Sequence, residues 1–149
     1  MNWNVYLSGE IHTNWRDEIY KKTKELGLKI NFYSPVTDHK ASDDCGVNII
    51  GKEDSGFWHD NKGAKINAIR TRKFIQIADI VVVRFGEKYR QWNAAFDAGY
   101  ASALGKSLII IHSEEAQHAL KEVDASALAV VDDVKKVVRI FHYVMEGEL

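Results

Sequence analysis

RQWNAAFDAGYASALG, residues 90–105, lies between two apolar runs, Ile80-Val81-Val82-Val83 and Ser107-Leu108-Ile109-Ile110-Ile111. The stretch reads as a helix with an unusual surface. Ala94, Ala95, Ala98, Gly99, Ala101 and Ala103 leave one side nearly smooth, so the helix can lie very close to a sheet. A mid-helix glycine costs roughly 1 kcal/mol against alanine, and Gly99 therefore points to a close backbone approach. Asn93 and Asp97 are four residues apart and share a helix face. Strand, loop, helix and strand in succession make a βαβ unit. The loop after a parallel strand faces the usual ligand crevice, which makes Asp97 and its neighbours the site candidates.

The same alternation extends outward. Trp3 to Ser8 is a first strand, closed by Gly9-Glu10. Thr13 or Asn14 caps a helix from Trp15 to Leu26, and Gly27 ends it as a C′ glycine. Lys29 to Tyr33 is strand two, and Ala64 to Ile77 is a long helix with Ile66, Ile69, Phe74 and Ile77 in phase. Between them, residues 36–63 are polar and carry Gly46, Gly51, Gly56 and Gly63, so an irregular segment with a short helix near Val47 to Ile50 is expected. Such a long segment in a compact domain is often functional. Strand three is Ile80 to Phe85 and strand four Ser107 to Ile111. Ser113 caps a short helix through Leu120, and Ala127 to Val131 is strand five. Asp132 caps a final helix whose Val134, Val137, Val138, Phe141, Tyr143 and Val144 are mostly buried.

Strands alternating with helices predict a single α/β domain over residues 1–149, with a doubly wound parallel sheet covered on both faces. A flavodoxin-like order of 2-1-3-4-5 puts the switch point between strands one and three. Tyr6, Ser8, Gly9 and Glu10 then meet Arg84, Gly86, Glu87, Gln91, Asn93 and Asp97 at one sheet edge.

Composition narrows the function. The 149 residues are 46% hydrophobic and 28% charged, with a net charge of −1, so no bulk pull toward polymeric nucleic acid or anionic lipid is expected. Arg70-Thr71-Arg72-Lys73 is a local basic cluster, in which Arg72 and Lys73 read as a solvated helix face. No apolar run is long enough for a membrane span, and the N-terminus lacks a signal-peptide pattern. The single cysteine, Cys45, excludes an intrachain disulfide and reads as a bystander thiol; the cytoplasm is the expected compartment. The six histidines show no metal-binding spacing, and Asp38-His39 with Asp43-Asp44 reads as loop polarity, so no metal is expected. Neither G-x-G-x-x-G nor G-x-x-x-x-G-K-[ST] occurs, so no nucleotide cofactor is expected.

Val5-Tyr6-Leu7-Ser8-Gly9, Ala78-Asp79-Ile80-Val81-Val82-Val83 and Phe96-Asp97-Ala98-Gly99-Tyr100-Ala101 resemble the nucleoside 2-deoxyribosyltransferase superfamily. Two further segments are more specific: Gly9-Glu10-Ile11-His12 through Asn14-Trp15-Arg16, and residues 85–93, FGEKYRQWN. Together they resemble the YtoQ branch of that superfamily. The resemblance implies cleavage or exchange of an N-glycosidic bond on a nucleoside, nucleotide or related ribosyl compound. It implies a carboxylate nucleophile at Asp97 and an orienting tyrosine at Tyr6. Four positions depart from the superfamily pattern. The nucleophile is aspartate in place of glutamate, and neutral Gln91 and Thr71 stand where acids are usual. Glu10 also replaces a residue that is normally proline or apolar. The site is then either rebuilt around a different substrate or kept for binding alone, as in a noncatalytic nucleotide-binding or sensing module.

The expected catalytic set is Asp97, Glu10 and Tyr6. Glu10 reads equally as an acid/base partner and as the N-terminal charge favouring the following helix. The expected binding residues are Ser8, Gly9 and Gly86 at the strand ends, with Arg70 and Asp79 beside them. Gln91, Trp92 and Asn93 open the catalytic helix; Trp92 either stacks a base or packs under the loop, and Asn93 either orients Asp97 or caps the helix. The resemblance also implies a homo-oligomer, with Phe141, Tyr143 and Leu149 as apolar contact area. Residues 38–60 are expected to form a lid or pocket wall closed by Phe57 and Trp58.

Overall fold

The computed structural model describes residues 2–88 and 90–148. Tyr89 and Leu149 lie outside the described residues, and with them the contact expected of Leu149 and part of the 85–93 segment. The strands are β1 (Trp3–Gly9), β2 (Ile30–Tyr33), β3 (Ile80–Arg84), β4 (Ser107–Ile111) and β5 (Ala129–Val131). The helices are α1 (Trp15–Glu25), α2 (His39–Ile50), α3 (Gly56–Ile77), α4 (Trp92–Ala103), α5 (Lys121–Ala125) and α6 (Val134–Glu146), with a 3₁₀ turn at Glu114–Ala116. All strand pairs are parallel and the order is β2-β1-β3-β4-β5, as the alternation predicts.

Successive strand residues point to opposite faces and divide the core in two. Val5, Leu7, Ile80, Val82, Ile109 and Ile111 pack under α1 and α6. Tyr6, Val81, Val83, Leu108 and Ile110 pack under α3 and α4. Register aligns Ser8 with Val83 and Gly9 with Arg84, so β1 and β3 end together at one edge. Asn4 and Asp79 sit at the other edge, where Asp79 Oδ2 accepts the Asn4 N–H at 2.8 Å.

The largest departure from expectation is residues 36–63, which are helical over most of their length. Asp38 caps α2 by accepting the Ala41 N–H at 2.7 Å, and α3 begins at Gly56, eight residues before the expected start. The glycines that suggested loop are the crossing point of this helical hairpin. A Cβ on Gly46 would lie 2.5 Å from the Gly63 nitrogen, and one on Gly63 would lie 2.9 Å from the Asp43 carbonyl oxygen. Gly99 behaves oppositely: it is exposed with open space around it, and Ala94, Ala98 and Ala101 make the approach to the sheet.

Smaller corrections concern the helices. Ile69 is exposed, and Ile75 is the fully buried side chain of α3. Gln91 rather than Asn93 occupies the α4 N-cap position, and Asp133 rather than Asp132 caps α6, accepting the Lys135 N–H at 2.7 Å. The single short helix expected from Ser113 to Leu120 is the 3₁₀ turn followed by α5. On α6, Tyr143 and Val144 are exposed, whereas Phe141 is wholly in the core and offers no contact area. Among the described residues no helix is long and apolar enough to cross a membrane.

Candidate active site

Gly9 ends β1 against β3. A Cβ there would lie 2.1 Å from the Arg84 carbonyl oxygen, and its φ of +96° is open to glycine. The chain then turns, and Glu10 N–H donates to the Arg84 carbonyl at 3.0 Å. The turn is heavily cross-braced. Trp15 Nε1 donates to the Glu10 carbonyl at 2.8 Å. The buried Arg16 donates to the carbonyls of Leu7 (3.2 Å), Glu10 (2.6 Å) and Gly9 (3.2 Å). Its guanidinium also stacks 4.6 Å over the Trp15 ring. The Glu10 carboxylate accepts from the His12 N–H, from the Thr13 N–H at 2.8 Å and from the Thr13 hydroxyl at 2.6 Å. It thus does what the Asn14 side chain does not, since Asn14 makes no cap hydrogen bond. Burial by itself raises the Glu10 pKa. The Thr13 hydroxyl, the two backbone N–H groups and Arg84 at 3.8 Å outweigh burial, and the net direction is down.

Asp97 is in the opposite condition. It lies on the second turn of α4, facing the end of β1, and its Oδ2 accepts the Ser8 hydroxyl at 2.5 Å. Burial raises its pKa to about 6, against the Ser8 hydrogen bond, which lowers it. No hydrogen bond to Oδ1 is found among the described residues. Tyr6, beneath, is wholly buried, and its hydroxyl donates to Thr71 Oγ1 at 3.4 Å. Burial first, then the charge of Asp97, pushes its pKa up to about 12. The hydroxyl in contact with Asp97 is therefore that of Ser8.

Ser8, Gly9, Glu10, His12 and Asp97 line a cleft of about 910 Å³, whereas Tyr6, expected in the catalytic set, lies beneath it and does not line it. Gly86, expected as a binding residue, does not line the cleft; it presses on the stem of Glu10, where a Cβ would lie 2.4 Å from Glu10 Cγ. Gln91 Oε1 accepts the Gly86 N–H at 2.7 Å, and Gln91 Nε2 is buried with no partner among the described residues. Trp92, Asn93 and Arg70 also line the cleft. Asn93 is exposed, and no hydrogen bond of its side chain is found among the described residues. The structure does not bring Asp79 to this site, because it precedes β3 at the far edge of the sheet. The α2–α3 hairpin supplies a wall through Ser42, Ala64 and Asn67, with Asn67 Nδ2 donating to the Ser42 carbonyl at 3.0 Å. Phe57 and Trp58 are exposed and do not line the cleft.

Several cleft residues were not among the expected ones. Phe96 follows Trp92 by one turn, and both are largely exposed, at 65% and 72%; the i, i+4 aromatic spacing was a usable signal. His12 and His39 stack with ring centroids 5.2 Å apart, joining the β1 turn to α2 at the cleft. Thr71, Arg72 and Arg90 complete the side formed by α3 and the α4 approach. Arg72 is solvated, as its helix-face reading has it, and also faces the cleft. No cluster of three or more metal-ligating side chains is found among the described residues.

Residues 6–145 match the family described as nucleoside 2-deoxyribosyltransferase YtoQ. The chain belongs to that family. It is 45% identical to the uncharacterized protein YtoQ of Bacillus subtilis (strain 168), over 99% of this chain and 100% of that one. Among solved structures, a conserved protein from Enterococcus faecalis V583 superposes with a TM-score of 0.66 at 14% identity, covering 97% of this chain and 99% of that one. The 2-deoxyribosyltransferase of Bacillus psychrosaccharolyticus superposes with a TM-score of 0.54 at 18% identity, over 91% and 90% of the two chains. At these identities the likeness is one of fold.

Proposed function

We propose that the protein cleaves or exchanges the N-glycosidic bond of a nucleoside, nucleotide or related ribosyl compound, with Asp97 as nucleophile. Family membership supports a nucleoside glycosyl-transfer role. The observation that carries the residue assignment is the setting of Asp97: one oxygen held by Ser8, the other with no partner among the described residues, in a cleft large enough for a nucleotide. In this reading the Asp97 carboxylate attacks the anomeric carbon, the C–N bond breaks, and the base departs with the electron pair and takes up a proton. Water or a second base then opens the glycosyl ester and restores the carboxylate. Attack needs the ionised form, and a pKa of about 6 leaves Asp97 mostly ionised at neutral pH.

A general acid must carry a proton at working pH. Glu10 is held toward the ionised form, so we assign it to bracing the β1 turn. The departing base then draws its proton from solvent. Trp92 and Phe96 offer the flat apolar surface on which a base packs.

The test is incubation with a nucleoside and nucleotide panel, with free base resolved by chromatography. Wild-type protein releases base, with a rate that climbs through about pH 6, and Asp97→Asn releases almost none while still binding. Asp97→Glu restores the superfamily residue but displaces the reacting oxygen by about 1 Å, which costs about a hundredfold. Ligand binding with no base release from wild-type protein would transfer the protein to the sensing role.

A further inference from the structure

Arg70 and Arg72 on α3 and Arg90 just before α4 all line the cleft. None has a carboxylate partner among the described residues, unlike Lys62, Arg84, Lys121 and Lys136. Arg70 is nonetheless braced. Its Nε donates to the Ser34 carbonyl at 3.3 Å and its guanidinium lies 4.6 Å over the Phe74 ring, and its terminal N–H groups have no hydrogen-bond partner among the described residues. Arg90 stacks 5.9 Å over Trp92. The residues between them add donors. Thr71 Oγ1 accepts from Tyr6, so its own proton remains to be donated. Gln91 Oε1 accepts from Gly86, which fixes the amide with its NH₂ as the remaining group.

The acids of the cleft stand apart from these residues. Asp60 precedes Arg70 by ten residues on α3, about 15 Å at the helical rise and roughly two Debye lengths at physiological salt. Asp43 faces His39 at 3.8 Å, and Glu10 is engaged by the β1 turn. Asp97 follows Gln91 by six residues, about 9 Å along the helix, a spacing that a ribose and its phosphate bridge. The first turn of α4 carries no acidic residue. A guanidinium fork matches phosphate oxygens in a bidentate way. A chain of net charge −1 that lines its cleft with three guanidinium groups lacking a carboxylate partner among the described residues is shaped there for an anion.

We propose that Arg70, Arg72 and Arg90 give the cleft a phosphate subsite, and that the substrate is the phosphomonoester of a ribosyl compound rather than a free nucleoside. The ribosyl part rests on the glycosidic reading above; the phosphate part rests on the arginines.

Isothermal titration of Asp97→Asn protein with a nucleoside, its 5′-monophosphate and ribose 5-phosphate tests this, with base release from wild-type protein followed in parallel. The monophosphate binds at least about tenfold tighter than the nucleoside, and added salt weakens the monophosphate alone. Adding Arg72→Gln and Arg90→Gln brings the two within about threefold, reversing that charge-assisted gain, with an unchanged urea midpoint. Ribose 5-phosphate binding as tightly as the monophosphate identifies a sugar phosphate as the source, and weaker binding identifies a nucleotide. Equal affinities, an advantage that survives the double substitution, or no binding of any of the three overturns the subsite. Arginine-dependent monophosphate binding without base release sustains the subsite and defeats the glycosidic reading. Base release from the nucleoside alone does the reverse.

Discussion

The turn after β1 and the wall opposite it, made by the end of α3 and the start of α4, differ in what their polar groups are doing. In the turn, the Arg16 guanidinium and the Glu10 carboxylate are each taken up by several partners within the same short segment. Across the cleft, among the described residues, Asp97 has Ser8 alone, and Arg70, Arg72 and Arg90 have no carboxylate partner. One side of the cleft is finished without a ligand and the other is not. Charged groups alone do not mark a site; charged groups whose partners are missing do. Glu10 and Asp97 make the point in miniature, since their surroundings drive their pKa values in opposite directions.

The contrast is broken most severely at Arg16. Arg16→Met strips the donor from the carbonyls of Leu7, Gly9 and Glu10 in a buried place, a loss of about 3 kcal/mol or more. Arg72→Met, a substitution of an exposed and unpaired arginine, changes stability by no more than about 0.5 kcal/mol. Urea melts of the two variants read the difference directly, and similar losses would erase the distinction between the walls.

The two carboxylates sharpen the comparison through pH. The folded Asp97 pKa, about 6, lies above its unfolded value of 3.8, so its ionisation costs stability progressively as pH rises from 3.8 to about 6, and the full cost is present above that. Asp97→Asn should therefore stabilise the protein by up to about 3 kcal/mol at pH 8 and by nothing below pH 3.8. Glu10 has the reverse sign. Its folded pKa is depressed below 4.5, so its contribution is present above that pH and lost as pH falls through the folded value. Glu10→Gln should cost about 1–3 kcal/mol at neutral pH, and the loss should fade in acid. Urea midpoints from pH 3 to 8 check both signs.

The smallest effects belong to Trp92 and Phe96. Being largely exposed, each tolerates alanine with a stability change within about 0.5 kcal/mol. Each should weaken binding of a base-bearing ligand by about 1 kcal/mol, roughly fivefold. Titration of the alanine variants, with ribose 5-phosphate as the base-free control, checks this. An equal loss for the control would remove the stacking role.

Much of the fold was legible because the apolar runs Ile80 to Val83 and Leu108 to Ile111 and the small-residue helix between them admit few other readings. The α2–α3 hairpin was not, because glycine has two opposite uses. Gly46 and Gly63 signal turns locally, yet here they let two helices cross, which only their mutual contact reveals. Gly99 misled in the other direction, its close packing falling to Ala98 and Ala101. In the site, strand order alone brings Ser8, Glu10 and Asp97 to one edge and leaves Asp79 at the other. The state of Glu10 was open at the level of sequence, because it depends on donors from His12 and Thr13 that only the turn geometry supplies. Arg72 and Arg90 were hidden because a solvated arginine and one facing a cleft look alike without their neighbours.

The central claim, that Asp97 is the attacking group, is tested most directly by catching its ester. Wild-type protein and Asp97→Asn are mixed with 2′-fluoro-2′-deoxy nucleosides and their 5′-monophosphates, whose glycosyl-enzyme turns over slowly, and intact masses are recorded. The account predicts an increment equal to the sugar, or sugar phosphate, on wild-type protein, mapped by peptide fragmentation to Asp97, and no increment on the variant. The same adduct on Asp97→Asn, or one mapped to another carboxylate such as Glu10, would contradict it.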